Sequence, residues 1–227
     1  MDEEILVNPY TAIRLFARTY LAFGEEVLKD RKFKVTREAW IAAMYLLGRS
    51  KSDNKDWWLA PVTDKSGSPD FYCYSFVRNK SDEHTVRERI KLEVFEWRKE
   101  EKVDNLLEAL KRIKLDKIID PEITIVCYIR RDFAVPPAVE LKNQIEKFSV
   151  KVKDVWYLGN IDPEGKMWRV TQLYPNNMAV DLNYDEILAT KESYSFLHAY
   201  RGKSDNVIYE HTGSQVLLTP EFKIQKI

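Results

Sequence analysis

The chain has 227 residues, long enough to bury a substantial core and compatible with one domain. Hydrophobic residues at 44% and charged residues at 32% exclude a disordered chain. The 36 Lys and Arg residues balance 36 Asp and Glu residues, so no global field draws the chain to nucleic acid or to an anionic membrane, and a nucleic-acid role needs a local patch.

The acidic start Met1-Asp2-Glu3-Glu4 has neither the charge nor the apolar run of a secretion signal, and no apolar run approaches the roughly 18 residues of a membrane span. The expectation is a cytoplasmic protein without membrane contact. Asn8-Pro9 supplies a cap and a first-turn proline, and Ile13, Phe16, Tyr20, Phe23 and Val27 recur at helical spacing, which predicts a helix to about Asp30. Thr36 as cap, an apolar stripe through Trp40, Ile41, Met44 and Leu47, and Gly48 as stop predict a second helix. Strand patterns follow at Trp57 to Val62 and Phe71 to Val77, separated by a Gly/Ser/Pro/Asp turn, and read as a hairpin. From Arg89 to Trp97 the alternation of Ile90, Leu92 and Val94 with Lys91, Glu93 and Phe95 sets the two groups on opposite sheet faces.

Asp104 can cap a helix carrying Leu106, Leu107, Leu110 and Ile113, and the continuous apolar run Ile123 to Ile129 suits a parallel strand buried on both faces. Pro136-Pro137 opens a further helix before the strand Val152 to Leu158. The fold class is therefore α/β (α+β): a central mixed sheet with ααβββαβαβ order and helices on its faces. A single domain over residues 1–227 is expected, with a core over 1–160 and a β-rich elaboration over 161–227. In that elaboration, Asn183 and Glu186 cap a helix reaching Gly202, and Val207 to Leu218 reads as a hairpin. Cys73 and Cys127 lie in apolar strand-like runs, without disulfide or zinc spacing, and are expected as buried thiols.

No Gly-rich phosphate loop, nucleophile elbow, His-Glu-x-x-His helix or Cys-x-x-Cys occurs, and His84, His198 and His211 are far apart. What remains is Ser68-Pro69-Asp70 at the start of one strand and Lys91-Leu92-Glu93-Val94-Phe95 on the next. Two carboxylates on neighbouring strands can hold a hard divalent cation through oxygen, and that cation lowers the pKa of bound water and stabilises charge at phosphorus. Residues two apart on a strand share a face, so Lys91 can lie beside Glu93. Arg78, Lys80, Arg87, Arg89, Lys91, Arg98 and Lys99 form a cationic stretch beside Trp97, interrupted by acids. Within it Arg87, Arg89, Arg98 and Lys99 are the candidate nucleic-acid contacts.

Over roughly Arg37 to Leu158, this arrangement resembles the PD-(D/E)xK nuclease superfamily, whose core is a helix, a β-meander, a crossover helix and a further strand. The resemblance implies that Asp70 and Glu93 bind magnesium and that the substrate is DNA or RNA. The lysine that family places two residues after the strand acid falls here on Phe95, which cannot supply a cation. Lys91, or Lys99 or Lys102 ahead of the next helix, are the available substitutes. The expectation is a divalent-metal-dependent nuclease-like domain, active or degenerate, with Asp70, Glu93 and Lys91 as catalytic residues. The alternative is a non-catalytic protein-interaction or nucleic-acid-binding module.

Overall fold

The structure, a computed structural model, describes residues 3–62, 68–78, 84–98, 105–118, 120–130, 137–148, 150–192, 194–201, 207–210 and 216–226. Strand β1 (Glu3–Val7) leads into α1 (Pro9–Phe23), a short α2 (Glu26–Lys29), a 3-10 turn over Arg31–Phe33 and the long α3 (Lys34–Asp53). Strands β2 (Trp57–Pro61), β3 (Phe71–Arg78) and β4 (His84–Arg98) precede α4 (Leu106–Leu110), β5 (Ile123–Arg130), α5 (Ala138–Glu146) and β6 (Asp154–Asn160). The chain continues through β7 (Met167–Tyr174), β8 (Met178–Asn183), α6 (Tyr184–Ala189), β9 (Phe196–Arg201), β10 (Val207–Glu210), β11 (Val216–Leu218) and β12 (Ile224–Lys226).

Ten strands form one mixed sheet in the order β10-β9-β1-β2-β3-β4-β5-β6-β7-β8. Strand β4 runs parallel to β5 and β5 parallel to β6, each pair joined through a helix, while the remaining neighbours are antiparallel. The expected α/β fold with a mixed sheet is thus present. The start of β4 also pairs with β10, so the strands β10-β9-β1-β2-β3-β4 close on themselves around Leu6, Trp58, Ala60, Tyr74 and Leu197. The later half of β4, with β5 to β8, lies between two helical layers. On one face α1 and α3 pack against Leu92, Val94, Val126, Trp156 and Val170; on the other α4 and α5 cover Phe95, Trp97, Ile125 and Cys127. The alternation read from the sequence along β4 is this division between two cores. Cys73 and Cys127 are buried free thiols.

Several elements depart from the sequence pattern. The first helix stops at Phe23, where Gly24 takes φ +59° and returns its N–H to the Tyr20 carbonyl at 2.7 Å. Gly48 is no stop: α3 continues to Asp53 and ends on left-handed Asn54. At Gly48 an added Cβ would meet the Val170 Cβ at 2.8 Å, so the missing side chain lets α3 lie close on β7. Asp104 lies outside the described residues, and Asn105 Oδ1 caps α4 by accepting from Leu107 N at 2.8 Å. Helix α6 ends at Ala189, well before Gly202, because the segment from Phe196 pairs with β1, a strand that the sequence pattern did not signal. The expected terminal hairpin is also replaced: β10 pairs with β9 and β4, and β11 with β12. Strands β7 to β10 therefore belong to the main sheet, leaving only β11 and β12 as a separate ribbon. No helix among the described residues is long and apolar enough to cross a membrane.

Candidate active site

Strand β3 begins opposite the middle of β4, and the carboxylates gather where that pairing ends. Asp70 donates its N–H to the Leu92 carbonyl at 3.0 Å and accepts from Val62 N at 3.1 Å. Two residues further along β4, beyond the end of β3, the Asp70 carboxylate accepts the Val94 N–H, with Oδ2 at 2.8 Å. Glu93, on the opposite face from Val94, is 6% exposed and turns toward α4. It accepts from Ser68 Oγ at 3.0 Å through Oε2, and Oε1 is in contact with the ammonium of Lys114. Lys114 comes from a π-helical turn over Lys111–Leu115 that extends α4, a widening of the helix often found at functional sites. From the other helical layer, Lys34 and Glu38 on the first turns of α3 pair at 3.2 Å.

Three carboxylates, Glu38, Asp70 and Glu93, and two ammonium groups, Lys34 and Lys114, thus lie within electrostatic reach of one another. Burial raises the Asp70 pKa above its ordinary value and the Glu93 charge adds to it; the Val94 N–H, Lys114 and Lys34 oppose the shift. Glu38 moves from an ordinary 4.5 to about 7, first through burial and then through the Asp70 charge, against the pull of Lys34 and Lys114. The Lys34 ammonium is favoured chiefly by Glu38, and Asp70 and Glu93 contribute as well. Like charges held in one buried pocket, with pKa values moved toward neutrality, are a signature of functional sites.

This electrostatic load makes stability depend on pH. Glu38 binds its proton more tightly folded than unfolded, so its effect is constant below pH 4.5, and stability falls as pH rises from 4.5 to about 7. The shift corresponds to about 3 kcal/mol of differential stability. Glu38→Gln is expected to remove most of that slope and to raise stability at pH 8 by about 2–3 kcal/mol. Urea denaturation across the pH range measures it, and an unchanged slope would show that Glu38 does not titrate there.

The structure brings Asp70 and Glu93 within electrostatic reach of each other. It does not bring Lys91, whose ammonium is bound by Asp120 at 2.9 Å and Glu122 at 2.8 Å, nor Phe95, which is buried beneath α4. Arg89 is exposed, with its guanidinium 5.3 Å above the Tyr72 ring, and Arg98 is bonded to Glu96 at 3.0 Å. The side chain of Arg87 and all of Lys99 and Lys102 lie outside the described residues. The sequence pattern missed Glu38, Lys34 and Lys114. Lys34 and Glu38 carry the i,i+4 spacing of an ordinary surface helix pair, and Lys114 sits in the basic run Lys111-Arg112-Ile113-Lys114, where nothing local sets it apart.

The donor set suits a hard cation, being carboxylate oxygen in a pocket where acids outnumber amines. Among the described residues, no group of three or more His, Cys, Asp and Glu side chains is gathered into a ready metal cage. The fit is therefore to ligation by one or two carboxylates, with water completing the shell, as magnesium commonly accepts. Comparison with protein-family models, with curated proteins and with solved structures returns no match for this chain.

Proposed function

We propose that the chain is a divalent-cation-dependent nuclease acting on nucleic-acid phosphodiesters, with Asp70 and Glu93 as the magnesium ligands. The observation that carries this reading is the gathering of buried Glu93 and Glu38 and half-buried Asp70 where β3 leaves β4, close enough for the Glu93 charge to act on Asp70 and the Asp70 charge on Glu38. A bound divalent cation would supply a water of lowered pKa and stabilise charge at phosphorus. The Val94 N–H fixes the Asp70 carboxylate and Ser68 fixes that of Glu93, so both oxygen donors are oriented before any ligand arrives. Lys114 takes the part that the resembling family gives to the motif lysine: it holds positive charge beside Glu93, where Phe95 has none to offer. Glu38, titrating at about 7, can take up or release a proton at neutral pH beside the attacked phosphate.

The test is cleavage of single- and double-stranded DNA and RNA by the purified chain in magnesium or manganese. Cleavage is expected, with loss in excess EDTA and in Glu93→Gln. Absence of cleavage on all four substrates with either cation would overturn the enzyme reading. Salt-dependent binding without cleavage would then leave a nucleic-acid-binding module.

A further inference from the structure

On the α1 side of the sheet lies an open cleft of about 600 Å³, within the ~300–1,000 Å³ range of small-molecule sites. Its walls are aromatic. Trp40, nearly buried, forms the floor, with Phe16 at 5.1 Å, Tyr128 at 5.3 Å and Trp168 at 5.1 Å between ring centroids. Tyr128 and Tyr184 flank Trp168 at 5.9 and 6.5 Å. Tyr128, Trp168 and Tyr184 are only half-buried, so they keep ring surface available. The buried Trp40 indole N–H lies beside the Tyr184 hydroxyl.

The charge around this cleft selects among aromatic-loving ligands. Three arginines converge on one acid: Arg37 meets Glu96 at 3.0 Å, Arg98 at 3.0 Å and Arg130 at 3.5 Å. Arg130 also lies within electrostatic reach of the cleft residues Tyr20 and Tyr128. Glu164, the other acid on the lining, is held by Lys166 at 2.7 Å. The local balance is therefore positive, which disfavours a cationic guest and favours an aromatic one carrying phosphate. The cleft residues Arg37 and Glu96 are near neighbours in sequence of Glu38 and Glu93, with Glu96 on the face of β4 opposite to Glu93.

We infer that the cleft receives an unpaired base of single-stranded nucleic acid, an inference that rests on the nuclease reading for the class of its ligand. Trp168, Tyr128 and Tyr184 supply the stacking surface, and Arg98 and Arg130, partly exposed and bound to the cleft residue Glu96, meet the adjacent phosphates. A paired base cannot reach the floor without leaving its helix, so the substrate is single-stranded nucleic acid or a strand with unpaired bases.

The experiment titrates tryptophan emission of the wild-type chain, in EDTA, with oligothymidylate and with a blunt DNA duplex of the same length. The single strand is expected to quench emission and to bind at least about tenfold tighter than the duplex. Trp168→Leu should weaken single-strand binding about tenfold and leave duplex binding unchanged. Leu188→Trp, which fills the cleft from its rim, should do the same if Trp168→Leu does not fold. Equal affinity for strand and duplex, or indifference to both substitutions, would overturn the inference. A response to tetramethylammonium without one to the oligonucleotide would also overturn it, in favour of a cation cage. Cleavage in magnesium, assayed in parallel, separates the two readings. Cleavage without strand preference removes the cleft assignment alone, whereas strand-selective quenching without cleavage removes the nuclease and keeps the base site.

Discussion

Asp70→Asn is expected to reduce magnesium-dependent cleavage by roughly three orders of magnitude, the scale on which one lost electrostatic partner of a transition state is felt. The same substitution is expected to make the protein more stable. The amide oxygen of Asn still accepts the Val94 N–H, so the bond that closes the β3–β4 ladder survives. What disappears is a half-buried negative charge within reach of Glu93 and Glu38. Activity lost with stability gained distinguishes a pocket kept for chemistry from one kept for structure. A purely structural Asp70 predicts the reverse, a fall in melting temperature with no cleavage to lose. Thermal denaturation at pH 8 and a cleavage assay on one preparation read both quantities.

Arg49→Ala is expected to cost about 3–5 kcal/mol of stability, the range for removing one partner from a buried ionic network. The Arg49 guanidinium donates to the Tyr45 hydroxyl at 2.9 Å, lies 3.2 Å from Glu88 and 3.7 Å from Asp154, and stands 5.1 Å from the Trp57 ring. Tyr45 is fully buried and Asp154 is 4% exposed, so neither finds water when the arginine is gone. Burial already raises the Asp154 pKa, and the Arg49 charge is among the groups that oppose this. Arg49→Lys should recover only part of the loss, because one ammonium cannot replace a planar fork of donors reaching three groups. Adding Asp154→Asn to Arg49→Ala should restore part of the stability by removing the stranded charge. Urea denaturation of these three variants and of Asp154→Asn alone decides this. Near-additive losses would mean that Arg49 and Asp154 do not act as a pair.

The centre of the chain was legible because its elements are specified by local pattern. Alternation along Ile90 to Trp97 announces two cores, continuous apolarity from Ile123 to Ile129 announces a strand covered on both faces, and Asn8-Pro9 announces a helix start. The edges were not legible because they depend on distant partners. The strand Glu3–Val7 exists through pairing with Phe196–Arg201, and that pairing holds the latter segment extended where its pattern allowed a helix. Gly48, a helix stop by its chemistry alone, is a contact point with Val170 once β7 packs beneath α3. The site divides along the same line. The sequence by itself singled out Asp70 and Glu93, because a Pro-Asp step and an acid on an alternating strand are local features. Only the tertiary structure decided the rest: Glu38 and Lys34 reach the pocket from one helical layer and Lys114 from the other, while Lys91 is held by Asp120 and Glu122. Charge on a side chain is written in the sequence. The burial and neighbours that move the Glu38 pKa to about 7 arise only where two helices meet the split edge of the sheet.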